Sequence, residues 1–215
     1  MGPYGSGKSS FAVFLSHLLS SPQEPAAKQA NKVLSKSDKA LAKAFSNHAS
    51  QNEGYLKVLI VGAPEPMGKR ILKGLLSGAK DFWSKRSISK FKFIKKLESL
   101  IEQEKVNISE ILEIIGEIQD KLVETNGKGI VLLIDELGKF LEYEARHYGA
   151  NDIYLLQSLA EHACKGAKAN LLLFVMLHQS FEQYAKGLGE SLKNEWSKVQ
   201  GRFEEVPFLE SAEQV

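Results

Sequence analysis

Cysteine is almost missing from this sequence. Cys164 stands alone, so no disulfide can close within the chain, and a secreted, disulfide-stapled scaffold is excluded. Long hydrophobic runs are missing as well: no apolar stretch approaches the roughly 20 residues that a membrane-spanning helix needs. The opening residues lack the basic-then-apolar layout of a signal peptide, so a cytoplasmic protein with no membrane partner is the default expectation. Charge of one sign is scarce, with 28 Lys and Arg against 26 Asp and Glu and a net charge of +2. That balance does not by itself imply a nucleic-acid partner. His17, His48, His147 and His162 are scattered without metal-ligand spacing, which argues against a zinc site.

What is present suits an ordinary globular domain. Hydrophobic residues make up 43% of the 215 residues and charged residues 25%, enough for one large domain or one domain with an insertion. Three apolar runs lack the alternation of half-buried strands: Tyr55–Val61, Gly129–Ile134 and Leu171–Leu177. Each reads as a strand buried on both faces. A fourth, brief strand is expected at Glu205–Phe208. Helical spacing is seen in Phe11, Phe14, Leu15 and Leu18, and an alanine- and lysine-rich stretch from Asp38 to Ala49 predicts another helix. A stripe of Ile108, Ile111, Leu112, Ile115, Ile118 and Leu122 predicts a third, with Asn107 as its N-cap. Further helices are expected near 137–147 and 152–166. Strands separated by helices describe a parallel sheet covered on both faces. Residues 65–126 are helical throughout and are expected as an inserted subdomain between core segments 1–64 and 127–215.

The chemistry is concentrated in two places. Gly2-Pro3-Tyr4-Gly5-Ser6-Gly7-Lys8-Ser9 matches G-x-x-x-x-G-K-[ST] at every defined position. Glycines allow successive backbone N–H groups to turn inward around phosphate oxygens. Lys8 supplies a point charge for the β- and γ-phosphates, and the Ser9 hydroxyl is a Mg²⁺ ligand. The helix expected over Lys8–Ser20 adds the positive end of its dipole, with Ser10 in its first turn as a further candidate for the phosphates. Downstream, Ile130-Val131-Leu132-Leu133-Ile134-Asp135-Glu136 is a buried strand that ends in two carboxylates. Asp135 suits the Mg²⁺ site and Glu136 the activation of water. An acidic pair also suits the start of a helix; it is the phosphate loop upstream that favours the metal-and-water reading.

These two motifs resemble those of the AAA+ and related P-loop ATPases that carry an extra strand and a catalytic glutamate. The resemblance covers about 1–20, 55–63 and 129–210 and leaves 65–126 outside. It implies a three-layer α/β P-loop core, ATP and Mg²⁺ as ligands, and ATP hydrolysis coupled to conformational change. It also implies a polar γ-phosphate sensor after the third strand, with Gln179 first and His178 second in order of expectation. Gly201-Arg202-Phe203 is similar to the segment that supplies an arginine finger to a neighbouring subunit, so Arg202 is a catalytic candidate and a homo-oligomer a candidate partner. Arg202 suits an exposed position before an edge strand equally well. The first core strand and the lid domain of that class have no counterpart, and the chain is expected to be a piece of a larger ATPase of the DNA-processing or genome-defence type. A switch with little turnover, and a nucleic-acid-dependent motor, are the competing readings. No guanine-specifying sequence is present, which disfavours a GTPase.

Support for the motor lies in the stretch from Lys80 to Lys96, where seven cations stand against the single acid Asp81 and are interleaved with Phe82, Trp83, Phe91 and Phe93. Cations and exposed rings together suit nucleic acid. The three-residue spacing of Ile88, Phe91, Ile94 and Leu97 favours the plainer alternative, a helix whose aromatics pack inward. Cys164 and Trp196 read as packing residues.

Overall fold

A computed structural model describes residues 5–49, 52–147, 151–179, 183 and 190–208. Its centre is a three-stranded parallel sheet of order β1 (Tyr55–Val61), β2 (Gly129–Asp135), β3 (Asn170–Val175). Tyr55 stands opposite Gly129, and Gly129 opposite Asn170, so the three strands begin level and end level. The three strands expected from their apolar runs are therefore all formed. Among the described residues β3 has a strand neighbour on one side only.

The helices are α1 (Lys8–Leu18), α2 (Pro25–Ser37), α3 (Lys39–Ala49), α4 (Met67–Phe82), α5 (Lys92–Glu102), α6 (Ile108–Glu124), α7 (Gly138–Arg146), α8 (Asp152–Cys164) and α9 (Glu190–Gln200). They cover both faces of the sheet. One face presents Leu56, Val58, Ile60, Ile130, Leu132, Ile134 and Leu171 to α4, α5, α6 and α8 in the larger core. The opposite face presents Val131 and Leu133 to Ala12, Leu15 and Leu19 at α1, with Tyr55 and Met176 in the same cluster. The fold is thus α/β with a parallel sheet between helical layers.

Local sequence explains most of the elements. Asn107 closes a capping box at α6: its side chain accepts from the backbone N–H of Glu110, the third helical residue, and the Glu110 carboxylate accepts from the Asn107 backbone N–H at 2.9 Å. Helix α2 is the element that periodicity failed to signal. Pro25 opens it at a favoured first position, but its buried face consists of Ala27 and Ala30, too small to stand out as a hydrophobic stripe. The strand expected at Glu205–Phe208 is not formed: residues 204–208 carry no strand structure, Val206 is exposed, and the Phe208 ring packs 5.5 Å from that of Phe11. Pro207 also lacks the N–H that a ladder requires.

Residues 65–126 supply α4, α5 and α6, whose apolar residues belong to the same core cluster as the strands. The aromatic stretch lies within that core. Trp83 and Phe93 are buried, Phe82 and Phe91 are half-buried, and the rings meet at centroid separations of 5.2 to 5.7 Å. Trp83 Nε1 donates to Thr125 Oγ1 at 3.0 Å, which satisfies its polar end inside the core. These rings pack on one another, as the plainer reading of 80–96 expects. Among the described residues no helix is long and apolar enough to cross a membrane.

Candidate functional site

All three strands deliver their C-terminal ends to one edge of the sheet, the edge at which ligands enter parallel sheets of this kind. An open pocket of about 280 Å³ lies there, lined by Gly5–Ser10, Asp135, Glu136, Met176, Leu177 and His178. It is built from three separate segments. Gly5 and Gly7 adopt left-handed backbone conformations with φ of 80° and 82°, which side chains rarely tolerate. They turn the chain into α1, whose first turn faces the pocket. Lys8 Nζ donates to Ser6 Oγ at 3.2 Å. Gly2, Pro3 and Tyr4, expected as the start of the phosphate loop, lie outside the described residues.

The second segment is the end of β2. The Ser9 hydroxyl donates to Asp135 Oδ2 at 2.5 Å across 126 positions of sequence. Asp135 Oδ1 accepts from the Glu136 backbone N–H at 2.9 Å, which fixes the carboxylate plane. Glu136 itself sits in the left-handed region with φ of 52°, a conformation that costs a non-glycine residue on the order of 1 kcal/mol. Neighbours hold it there. Gly62 donates from its N–H to the Asp135 carbonyl at 2.8 Å, so the β1 end is drawn against the β2 end. Lys139 Nζ, one helical turn on, pairs with Glu136 Oε2 at 2.6 Å. The third segment follows β3: Met176 N–H donates to the Ile134 carbonyl at 2.8 Å, and Leu137 N–H donates to the Met176 carbonyl at 3.1 Å. Those two bonds tie the turn after Glu136 to the end of β3 and bring His178 to the pocket wall.

Most of the residues singled out in the sequence are brought together here: Gly5, Ser6, Gly7, Lys8, Ser9, Ser10, Asp135 and Glu136 share one pocket. Of the two sensor candidates, His178 lines the pocket and Gln179 is not among its lining residues. Arg202 is elsewhere. Its guanidinium donates to the Lys198 carbonyl at 2.6 Å and pairs with Glu161 of α8 at 2.7 Å. Glu161 lies in the last turn of α8, which leads into the N-terminal end of β3, the edge opposite the pocket.

Two participants escaped the sequence reading. Gly62 was legible only as the end of a strand, although a Cβ there would stand 2.0 Å from the Glu136 carbonyl oxygen. The Lys139 ion pair had a signal in its three-residue spacing from Glu136.

A buried acidic pair secures the same edge from behind. Asp152 accepts from the Met67 N–H at 2.9 Å and so caps α4, while Glu144 of α7 accepts from the Ile153 N–H at 2.8 Å and caps α8. Burial pushes Asp152 up to about 8; the Met67 N–H opposes this rise and the neighbouring Glu144 charge adds to it. Burial raises Glu144 too. An unfolded chain keeps an ordinary Asp value near ~4. Between that value and about 8 the unfolded state therefore releases its Asp152 proton before the folded state does, and stability falls as pH rises through this window. Asp152→Asn removes that titration. Thermal unfolding at a series of pH values is expected to show a much flatter decline from about pH 4 to 8 than the parent, worth on the order of a few kcal/mol, with a residual slope from Glu144.

In chemical terms the pocket offers inward-turned backbone, one ammonium, a hydroxyl paired with a carboxylate, and a second carboxylate beside them. Ser9 Oγ and Asp135 Oδ2 converge on one point, and hard oxygen donors of that kind suit a Mg²⁺ ion whose other ligands come from phosphate and water. Among the described residues no three His, Cys, Asp or Glu side chains cluster as a metal site. No protein-family model, curated protein or solved structure matches this chain.

Proposed function

We propose that the chain is a P-loop ATPase that binds ATP with Mg²⁺ and hydrolyses the γ-phosphate. The observation that carries this reading is the meeting of Ser9 and Asp135 at 2.5 Å beside Lys8 and a glycine turn. Two motifs that sequence separates by more than half of the chain share one pocket, as a single magnesium–triphosphate requires.

Each residue has a role that follows from its place. The backbone N–H groups of the Gly5–Ser10 turn and the N-terminus of α1 attract phosphate oxygens. Lys8 neutralises charge on the β- and γ-phosphates. Ser9 and Asp135 would hold Mg²⁺, which when bound offsets the charge that develops between the β- and γ-phosphates. Glu136 has one carboxylate oxygen on Lys139, and among the described residues Oε1 has no hydrogen-bond partner. That oxygen takes the proton of the attacking water as the water oxygen bonds to the γ-phosphorus and the bond to the ADP oxygen breaks. His178 replaces Gln179 as the preferred γ-phosphate sensor, because it is the one on the pocket wall. The Met176 and Leu137 hydrogen bonds give a route by which loss of the γ-phosphate shifts the turn after β2.

Titration with a fluorescent ATP analogue, with and without Mg²⁺, tests this reading. The parent is expected to bind about tenfold more tightly with Mg²⁺, equivalent to about 1.4 kcal/mol. Ser9→Ala is expected to lose most of that gain while its binding without Mg²⁺ stays the same. Absence of nucleotide binding by the parent chain would overturn the proposal.

A further inference from the structure

Besides the run from Lys80 to Lys96, cations also outnumber acids away from the pocket, on the hairpin of α2 and α3. Between Pro25 and Ala49 stand Lys28, Lys32, Lys36, Lys39 and Lys43 against one acid, Asp38. This surplus of four positive charges in one hairpin contrasts with +2 for the whole chain. Asp38 is committed locally, accepting from the Leu41 N–H at 2.8 Å at the start of α3.

All five lysines are exposed, and among the described residues none of their ammonium groups has an ion pair or hydrogen bond. Several cations elsewhere are matched: Lys57 with Glu24, Arg70 with Glu65, Lys96 with Glu113 and Glu117, Lys121 with Glu124. On α2 the spacing is regular. A stride of four residues places Lys28, Lys32 and Lys36 about 6 Å apart along the axis and within about 80° of one another around it. The buried positions Ala27 and Ala30 lie on the far side of the helix, so the lysine row points outward.

We infer that this hairpin is a binding surface for the phosphate backbone of a double-stranded nucleic acid. A row of unpaired ammonium groups at regular axial steps matches a polyanion with a regular charge repeat, and its affinity arises from release of condensed counterions. Among the described side chains the surface has no exposed ring to serve as a stacking platform, since Phe45 packs into the smaller core cluster. That disfavours unpaired bases. The lysine row has little of the apolar anchor that interfacial helices insert into lipid: a single exposed Val33 lies about 60° from Lys36 around α2, and the exposed Leu41 falls on the other side of α3 from its lysines. Helix α2 packs on α1, and α1 begins at the nucleotide pocket, so the surface lies one helix away from that site. The inference is independent of the ATPase reading, because binding to the hairpin needs no nucleotide.

Fluorescence anisotropy of a labelled duplex of about 30 base pairs, in DNA and RNA forms, tests it without ATP over roughly 50 to 200 mM salt. With about four phosphates contacted, log affinity is expected to fall against log salt with a slope near −3.6. K28Q/K32Q/K36Q is expected to weaken binding by on the order of 10- to 100-fold at low salt and to flatten the slope by about 2.7. The charge-removal control K92Q/K95Q, on exposed residues of α5, is expected to leave both unchanged. Thermal melts of both variants establish that they remain folded. No duplex binding by the parent, an equal loss in the control, tighter binding to a single strand of the same length, or binding only to phosphatidylserine vesicles would each overturn the inference.

Discussion

Glu136→Gln is expected to abolish turnover while leaving ATP binding in place. The substitution keeps the length and shape of the side chain, and its amide oxygen still accepts from Lys139 Nζ, which lies 2.6 Å from the carboxylate. The left-handed backbone at this position and the hydrogen bond from the residue's N–H to Asp135 are unaffected, since neither depends on the side-chain terminus. What disappears is the basicity: an amide takes no proton from water. Phosphate release is expected to fall by about 10²- to 10³-fold, which corresponds to roughly 3–4 kcal/mol of transition-state stabilisation. ATP affinity is expected to stay within about threefold of the parent, because Lys8, Ser9 and Asp135 are untouched. Steady-state phosphate release beside an equilibrium binding curve reads both quantities. Unchanged release would remove Glu136 from the mechanism.

Gly62→Ala should impair the same step through the backbone. A Cβ at position 62 stands 2.0 Å from the Glu136 carbonyl oxygen, 2.9 Å from its carbonyl carbon and 3.2 Å from Lys139 Cβ. Two of those three atoms are backbone, so no side-chain rotation relieves the contact. One of the two strand ends must move, and the Glu136 turn, already held at φ of 52°, is the part with least reserve. A displacement of about 1 Å at a catalytic carboxylate costs on the order of 10- to 100-fold in turnover. Overpacking of this kind lowers stability by about 1–3 kcal/mol. The glycine turn of residues 5–10 lines the pocket away from Gly62, so under the proposed reading ATP binding is expected to change little. Gly116→Ala is the matched control. A Cβ at Gly116, within α6, meets nothing within 4 Å, and the substitution is expected to leave turnover alone and to stabilise the helix slightly. A Gly62→Ala chain with parental kcat would show that the Glu136 position tolerates the shift.

These two residues mark how unevenly the site was legible. Glu136 was legible as a candidate, because an apolar run that stops at Asp-Glu follows a phosphate-loop motif, and the pocket holds residues of both. Gly62 did not. Its importance arises from the close approach of two strand ends that are more than seventy residues apart in sequence, and no local pattern encodes that distance. Asp152 and Glu144 escaped for the same reason. Each looks like an ordinary acid on a helix, and only packing reveals that both are buried carboxylates accepting from the first backbone N–H groups of α4 and α8. The sensor order changed for a geometric reason: the chain leaves β3 so that His178 reaches the wall and Gln179 falls outside the lining. Arg202 was attractive as part of a three-residue pattern, yet in this chain its guanidinium is engaged by Glu161 on α8.

The secondary structure was legible wherever hydrophobic side chains were large and regularly spaced. Largely apolar runs declared β1, β2 and β3 as strands, although only β2 is buried along its length: Leu59 and Val61 of β1 are exposed and β3 is half-buried beyond Leu171; the isoleucine stripe with its Asn107 cap declared α6. Helix α2 was missed because an alanine face carries little periodic signal, and Glu205–Phe208 was over-read because a short β-prone segment has no ladder unless a partner strand lies beside it. The sequence alone determined the chemistry on offer: a glycine turn with Lys8 and Ser9, a strand ending in Asp135 and Glu136, and five lysines between residues 28 and 43. Those properties are local, set by residue type and by the periods of helix and strand. Tertiary structure decided which of these groups meet. The level C-terminal ends of three parallel strands bring Ser9 to Asp135, Gly62 to Glu136 and His178 to the pocket, and they leave Arg202 paired with Glu161. Such meetings depend on contacts between residues distant along the chain, which no single segment specifies.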